Sequence, residues 1–450
     1  MAGRFQILLR IAVLAALTSC GAFAENRYLV KVTGDVNGLA KRNGLKVVKA
    51  LGGSADGLFV LASNGMPASD VLRSLAADPA VSFAEPERPV RLPGIRPALP
   101  LLPPSPAGAT SFSSTLIHYY ETDAASAYVN QPSAGVIKLT QAHSLASGKG
   151  TVATVDTGVD FAHSVLRGSL VPGWDFVHDA PLGQELADLN QETTPILDQE
   201  TTPILDIDQE TTPILDGGTA IILTQETTPI LDQETTPILD GRKYPAYGHG
   251  TMVAGLIHLV APKARIMPLR AFGADGNATI SQIVQAIYFA VDRHVDVINM
   301  SFSVREDSPA LHEALDFAAS RGLILVASAG NDGQATQVWP AAYTSVMGVG
   351  ATNDQMVRSL FSNYGDSLVS LAAPGEGVIT LYPGEHYAQV WGTSFSAPMV
   401  SGAAALLLDV NTKTDESSAA ADLAHAVPIG QELGAGELDL YQAVMAATKR

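Results

Sequence analysis

The sequence predicts an α/β fold, a mostly parallel sheet flanked by helices, and three observations predict it. Apolar runs of strand length recur at 151–155, 266–269, 297–300, 324–327 and 346–349, with helical patterns at 280–293 and 309–320. Strands that alternate with helices specify a parallel sheet with covered faces. Asp156, Ser301 and Asn331 each stand just after one of these runs, at the carboxyl ends where such sheets bind ligands. Finally, 399–408 is small and apolar nearly all round, the mark of a buried helix. It follows Gly392-Thr393-Ser394-Phe395-Ser396-Ala397-Pro398, with Pro398 expected in the first turn, where no intrahelical bond is lost.

Taken in order, residues 1–24 read as an export signal: Arg4 and Arg10, an apolar stretch at 11–17, then small residues. Two ends compete. Ala22-Phe23-Ala24 is an ordinary cleavage site, and Leu17-Thr18-Ser19-Cys20 is a lipoprotein-type box that would place a lipid anchor on Cys20. Only seven residues separate Cys20 from the first strand pattern, a short tether that favours the ordinary site. The expected location is exported, extracellular or periplasmic. Cys20 is the single cysteine, so the mature chain is expected to hold neither an internal disulfide framework nor a cysteine metal site. No segment after the signal reads as a membrane span.

Residues 25–92 form the next unit. Strand patterns at 28–32, 45–48, 58–61 and 81–84 enclose a helix at 67–77 whose Val71, Leu72 and Leu75 share a face, which specifies a small two-layer α+β domain. Residues 93–125 carry Pro93, Pro97, Pro100, Pro103, Pro104 and Pro106 and read as a stiff linker. Residues 126–450 are the large domain, and the whole chain is 46% hydrophobic, enough for a sizeable core.

The net charge of −18 argues against nucleic acid as a partner. Residues 191–240 hold five Glu, six Asp and no Lys or Arg, so −11 of that charge belongs to one insert. The insert is a repeat: Gln-Glu-Thr-Thr-Pro-Ile-Leu-Asp begins at Gln191, Gln199, Gln209, Gln225 and Gln233, interrupted by 207–208 and 217–224. One proline per copy excludes a continuous helix. A solvated loop enlarged by duplication accounts for it, with a lid, an exosite and a stacked β structure as alternatives.

Ser394 is the candidate nucleophile. A serine ahead of a helix can simply cap it, but the free N–H groups and dipole there also favour an oxyanion formed beside it. Asp156 lies in Val155-Asp156-Thr157-Gly158, and His249 in Gly248-His249-Gly250-Thr251-Met252-Val253-Ala254-Gly255. Asp, His and Ser in that order, within these motifs, resemble the subtilisin-like serine peptidases, or subtilases, over roughly residues 134–445. The stretches 361–365 and Ala373-Pro374-Gly375 match that family's usual run before its nucleophile.

The resemblance implies a subtilisin-like catalytic domain with Asp156, His249 and Ser394 as its triad and Asn331 as an oxyanion donor. It implies that Ser301, Phe302 and Ser303 pair with an extended substrate. Ser328, Ala329 and Gly330 would form one wall of the pocket for the side chain before the cut, and Asp332 beside that wall would favour basic or polar side chains. Residues 25–92 would be an inhibitory, ferredoxin-like propeptide. The partners implied are polypeptide substrates and the chain's own propeptide, with the chain a monomer.

The chemistry needs this set. A serine hydroxyl attacks only when a base takes its proton, an imidazole must be held in the right tautomer, and the carbonyl oxygen needs donors as it gains charge. Ser396 is a rival nucleophile. The sequence also departs from the family. Met252 replaces a second histidine, Ser303 replaces a glycine, and Val165 stands where a calcium-ligand aspartate is usual. The run after Gly255 lacks a loop that often binds calcium. No cofactor or metal is expected; the repeats lack the glycine spacing of calcium repeats and would bind calcium only weakly. Two other readings remain open at the level of sequence: a catalytically inactive subtilase scaffold displaying the repeat loop as a binding module, and a precursor of released octapeptides.

Overall fold

The computed structural model describes residues 26–52, 57–92, 115–188, 221–223 and 244–450. The signal, Cys20, most of the linker and the octapeptide copies lie outside them. The described chain divides into two compact units, with one boundary at Arg88/Pro89.

The smaller unit runs β1 (Asn26–Val32), α1 (Val36–Arg42), β2 (Leu45–Leu51), β3 (Leu58–Ser63), α2 (Ala68–Ala77) and β4 (Val81–Pro86). Its four strands are antiparallel in the order β2-β3-β1-β4. This βαββαβ arrangement is the ferredoxin-like α+β unit expected. Alternation along β1 puts Tyr28, Val30 and Val32 on one face, where they pack with Leu39, Leu61, Val71 and Leu75. The sequence did not mark α1, whose seven residues hold one glycine and too few apolar positions to show a period.

In the larger unit, β5 (Pro89–Arg91) is followed by β6 (Leu116–Tyr119) and β7 (Thr122–Ala125). These last two form a hairpin inside the stretch read as linker, with Tyr119 buried and its hydroxyl donating to Leu259 O. Three short helices follow: α3 (Ser126–Val129), α4 (Pro132–Val136) and α5 (Leu139–His143). The main sheet then builds from β8 (Thr151–Asp156), β9 (Gly173–Asp175) and β10 (Ala180–Leu182). β11 (Ile221–Leu223) belongs to a smaller sheet. Next come α6 (His249–Val260), β12 (Arg265–Arg270), β13 (Asn277–Thr279), α7 (Ile280–Asp292), β14 (Val297–Met300) and α8 (Pro309–Ser320). The chain closes with β15 (Ile324–Ser328), β16 (Met347–Thr352), β17 (Leu371–Pro374), the β18 (Glu376–Tyr382) and β19 (His386–Trp391) hairpin, α9 (Thr393–Val410), α10 (Glu416–Leu423) and α11 (Leu440–Ala447).

Eight strands pair in the order β10-β9-β12-β8-β14-β15-β16-β17, all parallel except the β9–β10 edge. Strands buried on both faces read as continuous apolar runs rather than alternations, and for that reason β8, β12, β14 and β15 were legible. α9 packs against α6 and across β14, β15 and β16, and every residue from Thr393 to Leu408 is buried. By length and composition α9 could cross a membrane, contrary to the sequence reading, but here it is the helix at the centre of the core.

Pro398 also departs from its expected place. The helix begins at Thr393, so Pro398 sits inside it and not in its first turn. Having no N–H, it leaves the carbonyl four residues earlier, that of Ser394, without its helical donor. The Ser301 hydroxyl supplies one at 2.8 Å.

Candidate active site

β8 ends at Asp156, whose side chain is buried at the carboxyl edge of the sheet. Asp156 Oδ1 accepts the Thr157 backbone N–H at 2.8 Å and lies 2.7 Å from His249 Nδ1. With the proton on Nδ1 donated to that carboxylate, Nε2 carries the lone pair. His249 is the first residue of α6. Gly248 before it has φ +89°, a left-handed conformation open to glycine. A side chain on Gly250 would place its Cβ 2.0 Å from Gly158 O. The Gly-His-Gly pattern thus lets the helix start come directly against the end of the aspartate strand.

Ser394 is the second residue of α9 and is buried. Its hydroxyl donates to Ser301 O at 3.2 Å. The next residue, Phe395, puts its ring 5.5 Å from the imidazole of His249. Asn331 belongs to the same cluster. Its Oδ1 accepts both the backbone N–H and the hydroxyl of Thr393, each at 2.9 Å. That fixes the amide, and its Nδ2 is left buried without a hydrogen-bond partner, 3.5 Å from where a Cβ on Gly392 would stand. A buried, oriented and unsatisfied donor is costly unless something comes to accept it.

The other predicted residues surround this cluster. Ser301 and Phe302 are fully buried and Ser303 is partly exposed. Phe302 packs against Phe272 with ring centroids 5.3 Å apart in a tilted arrangement, and its carbonyl accepts from the Ser328 hydroxyl. Ala329 N–H bonds Val349 O, while Gly330 N–H bonds the Thr393 hydroxyl, so 328–330 is tied to the start of α9. Asp332 pairs with Arg305 at 2.7 Å. That ion pair engages one oxygen of a carboxylate that stays partly exposed. Ser396 Oγ donates to Pro374 O, which turns the rival hydroxyl to β17.

Sequence reasoning passed over Thr393, Thr157 and Glu185, which hold Asn331, the aspartate strand and the histidine helix. Thr393 and Thr157 carried a local signal, each standing next to a triad residue in its motif, and Glu185 carried none. Among the described residues, no group of three His, Cys, Asp or Glu side chains could hold a metal ion. Val165, which stands where the resemblance would have a calcium-ligand aspartate, is apolar and buried.

A parallel sheet carrying an Asp–His pair at its carboxyl edge, with a serine at the start of the central helix, defines a subtilisin-like α/β fold. The chain belongs to the subtilase family, whose model matches residues 148–438. It is similar to Subtilisin BL of Lederbergia lenta, 40% identical over 173 residues, which cover 36% of this chain and 64% of that protein. It is also similar to the thermophilic serine proteinase of Bacillus sp. strain AK1, 32% identical over 256 residues, or 57% of this chain and 51% of that protein. Both matches span less than two thirds of the relative's own length. Among solved structures, fervidolysin from Fervidobacterium pennivorans, described as a keratinolytic enzyme related to subtilisin, shares the fold. The TM-score is 0.66 and the identity 21%, covering 95% of this chain and 62% of that one.

Proposed function

We propose that the chain is an exported serine endopeptidase that hydrolyses peptide bonds of polypeptide substrates through an acyl-enzyme on Ser394. The observation that carries the reading is the buried 2.7 Å bond between His249 Nδ1 and Asp156 Oδ1, set against the helix whose second residue is the serine. Ser394 Oγ turns from Ser301 O towards His249 Nε2, gives up its proton and bonds to the substrate carbonyl carbon. The carbonyl electrons move to oxygen, where Asn331 Nδ2 and the Ser394 N–H receive the charge; losing one such donor typically costs roughly 100- to 1,000-fold in rate. His249 then protonates the leaving amine, and water reverses the sequence to free the acid. Asp156 keeps the imidazole in its tautomer and stabilises the imidazolium.

In this reading the backbone around Ser301, Phe302 and Ser303 and the wall Ser328, Ala329 and Gly330 receive the acyl side of the substrate. Residues 25–92, after a signal at 1–24, act as an inhibitory propeptide. The antiparallel pairing of Pro89–Arg91 with Asn277–Thr279 supports this, being the strand addition an extended peptide makes. Export rests on the signal pattern, with the ordinary cleavage site preferred to a lipid on Cys20.

The test is Ser394→Ala. It is expected to abolish hydrolysis of a chromogenic peptide, and labelling by a fluorophosphonate, at an unchanged melting temperature. Full activity in Ser394→Ala combined with loss in Ser396→Ala would reassign the nucleophile.

A further inference from the structure

Glu185 opens the 3-10 turn Glu185–Asp188, is fully buried, and lies six residues before the first octapeptide copy. Four donors converge on its carboxylate. Oε1 accepts the Thr157 hydroxyl at 2.6 Å and the Gly248 N–H at 2.9 Å. Oε2 accepts the Thr251 N–H and hydroxyl, both at 3.1 Å. Thr157 adjoins Asp156, and Gly248 and Thr251 bracket His249, so one side chain grips both members of the Asp–His pair through their immediate neighbours. Thr157 Oγ1 also accepts the Gly250 N–H at 2.9 Å, and the Glu185 N–H bonds Val159 O.

An arrangement of donors only is made for an ionised acceptor. The charge around it is unbalanced in the same sense. Arg270 is the cation nearby, and it donates to Asp175 at 2.7 Å and to Asp188, as well as to Thr157 O. His178 lies between the same two aspartates. Asp156 on β8, Tyr247 ahead of α6 and Tyr382 on β18 are the other titratable groups that act on Glu185 or feel its charge. Carboxylates therefore outnumber cations beside His249 until the imidazole itself takes a proton.

We propose, resting on the serine-peptidase reading above, that Glu185 is a positioning residue: it locks the Asp156 strand to the His249 helix, and its negative charge favours the imidazolium formed during the reaction. Burial pushes its carboxyl up to about 7; the Thr157 hydrogen bond opposes the rise, Asp156 adds to it, and Gly248 and Arg270 oppose it. Both His249 as free base and Glu185 as carboxylate are then needed for full rate.

The test is the pH profile of kcat/KM on a small chromogenic peptide. For the wild type, log kcat/KM is expected to fall with a slope steeper than one over the range in which Glu185 takes up its proton, since that protonation lowers the rate on top of the loss of the His249 base. Glu185→Gln is expected to lower kcat by roughly 10- to 100-fold with KM little changed, and to reduce that slope to one. Glu185→Asp, which keeps the charge, should keep the steeper slope. A slope of one in the wild type overturns the proposal, and this measurement needs no variant to fold. So does Glu185→Gln with wild-type kcat, or with a lower kcat, an unaltered slope and a proportionate drop in melting temperature. Fluorophosphonate labelling of Ser394 in the wild type separates this outcome from failure of the peptidase reading itself.

Discussion

Glu437 shows at the scale of one residue how burial couples this fold to pH. It is fully buried; Thr352 donates to its Oε2 at 2.7 Å, and its Oε1 has no hydrogen-bond partner. Burial pushes the carboxyl from an ordinary 4.5 up to about 7, with the Thr352 bond opposing the rise. The folded chain therefore holds a proton across that window that the unfolded chain has lost. The resulting stability is fully present below about 4.5, falls as pH rises through the window, and is gone above about 7. Its size is on the order of 3 kcal/mol. Glu437→Gln keeps an acceptor for Thr352 and removes the titration. Melting temperatures at pH 5 and pH 8 should therefore differ less in the variant than in the wild type, and the variant should be the more stable of the two at pH 8. Equal differences would mean that Glu437 stays ionised when folded.

Elements were legible where one signal decided them and obscure where tertiary contact did. Strand 297–300 and helix 309–320 match the structure residue for residue, since a doubly buried strand and a long periodic helix need no further context. The short helices between 126 and 143 are too brief for a period to show. The β18–β19 hairpin mixes polar and apolar residues with no strict alternation. Within the site, Asp156, His249, Asn331 and Ser394 stand in compact motifs. Thr157 and Glu185 are 28 positions apart, and their contact exists only once the sheet has formed.

The same holds for Ser301, which reads as a substrate-strand residue and also completes α9. Because Pro398 cannot donate to Ser394 O, Ser301→Ala should leave a buried carbonyl unsatisfied and cost about 1–3 kcal/mol. The Asn299 amide, which donates to the Ser301 hydroxyl at 2.9 Å, would lose its acceptor as well. Pro398→Ala supplies the missing N–H. In a Ser394→Ala background, which prevents autolysis and keeps the Ser394 carbonyl, the two substitutions should be non-additive, with Pro398→Ala recovering part of the Ser301→Ala loss. Strict additivity in denaturant midpoints would show that the hydroxyl and the proline act separately.

At the scale of the whole molecule, the repeat insert is fastened beside the catalytic residues. Before it, Glu185 bonds the start of α6, and Asp188 accepts from Arg270 and the Ala274 N–H. After it, Tyr244 O accepts the Tyr247 N–H one residue before Gly248. Within it, Ile221–Leu223 pairs antiparallel with Tyr387–Gln389 on the strand that leads to Ser394. That pairing divides the insert usefully, because the interruption 217–224 carries no charge, while the octapeptide blocks on either side carry all −11. Replacing 191–216 and 225–240 by Gly/Ser linkers removes the charge and keeps the strand. Loop closure depends only logarithmically on length, so the fold should tolerate the change. Hydrolysis of a small neutral peptide should stay within about twofold of wild type, since no group at the reacting bond is altered. With a basic protein substrate, kcat/KM should fall roughly tenfold at low ionic strength, and the difference should close as salt approaches 1 M, where screening extends only about 3 Å. Equal losses on both substrates would place the octapeptides in the catalytic fold itself, and no loss on either would leave them as solvated surface. Substituting Ile221–Leu223 as well should lower the melting temperature further, by stripping a strand from the edge of β19.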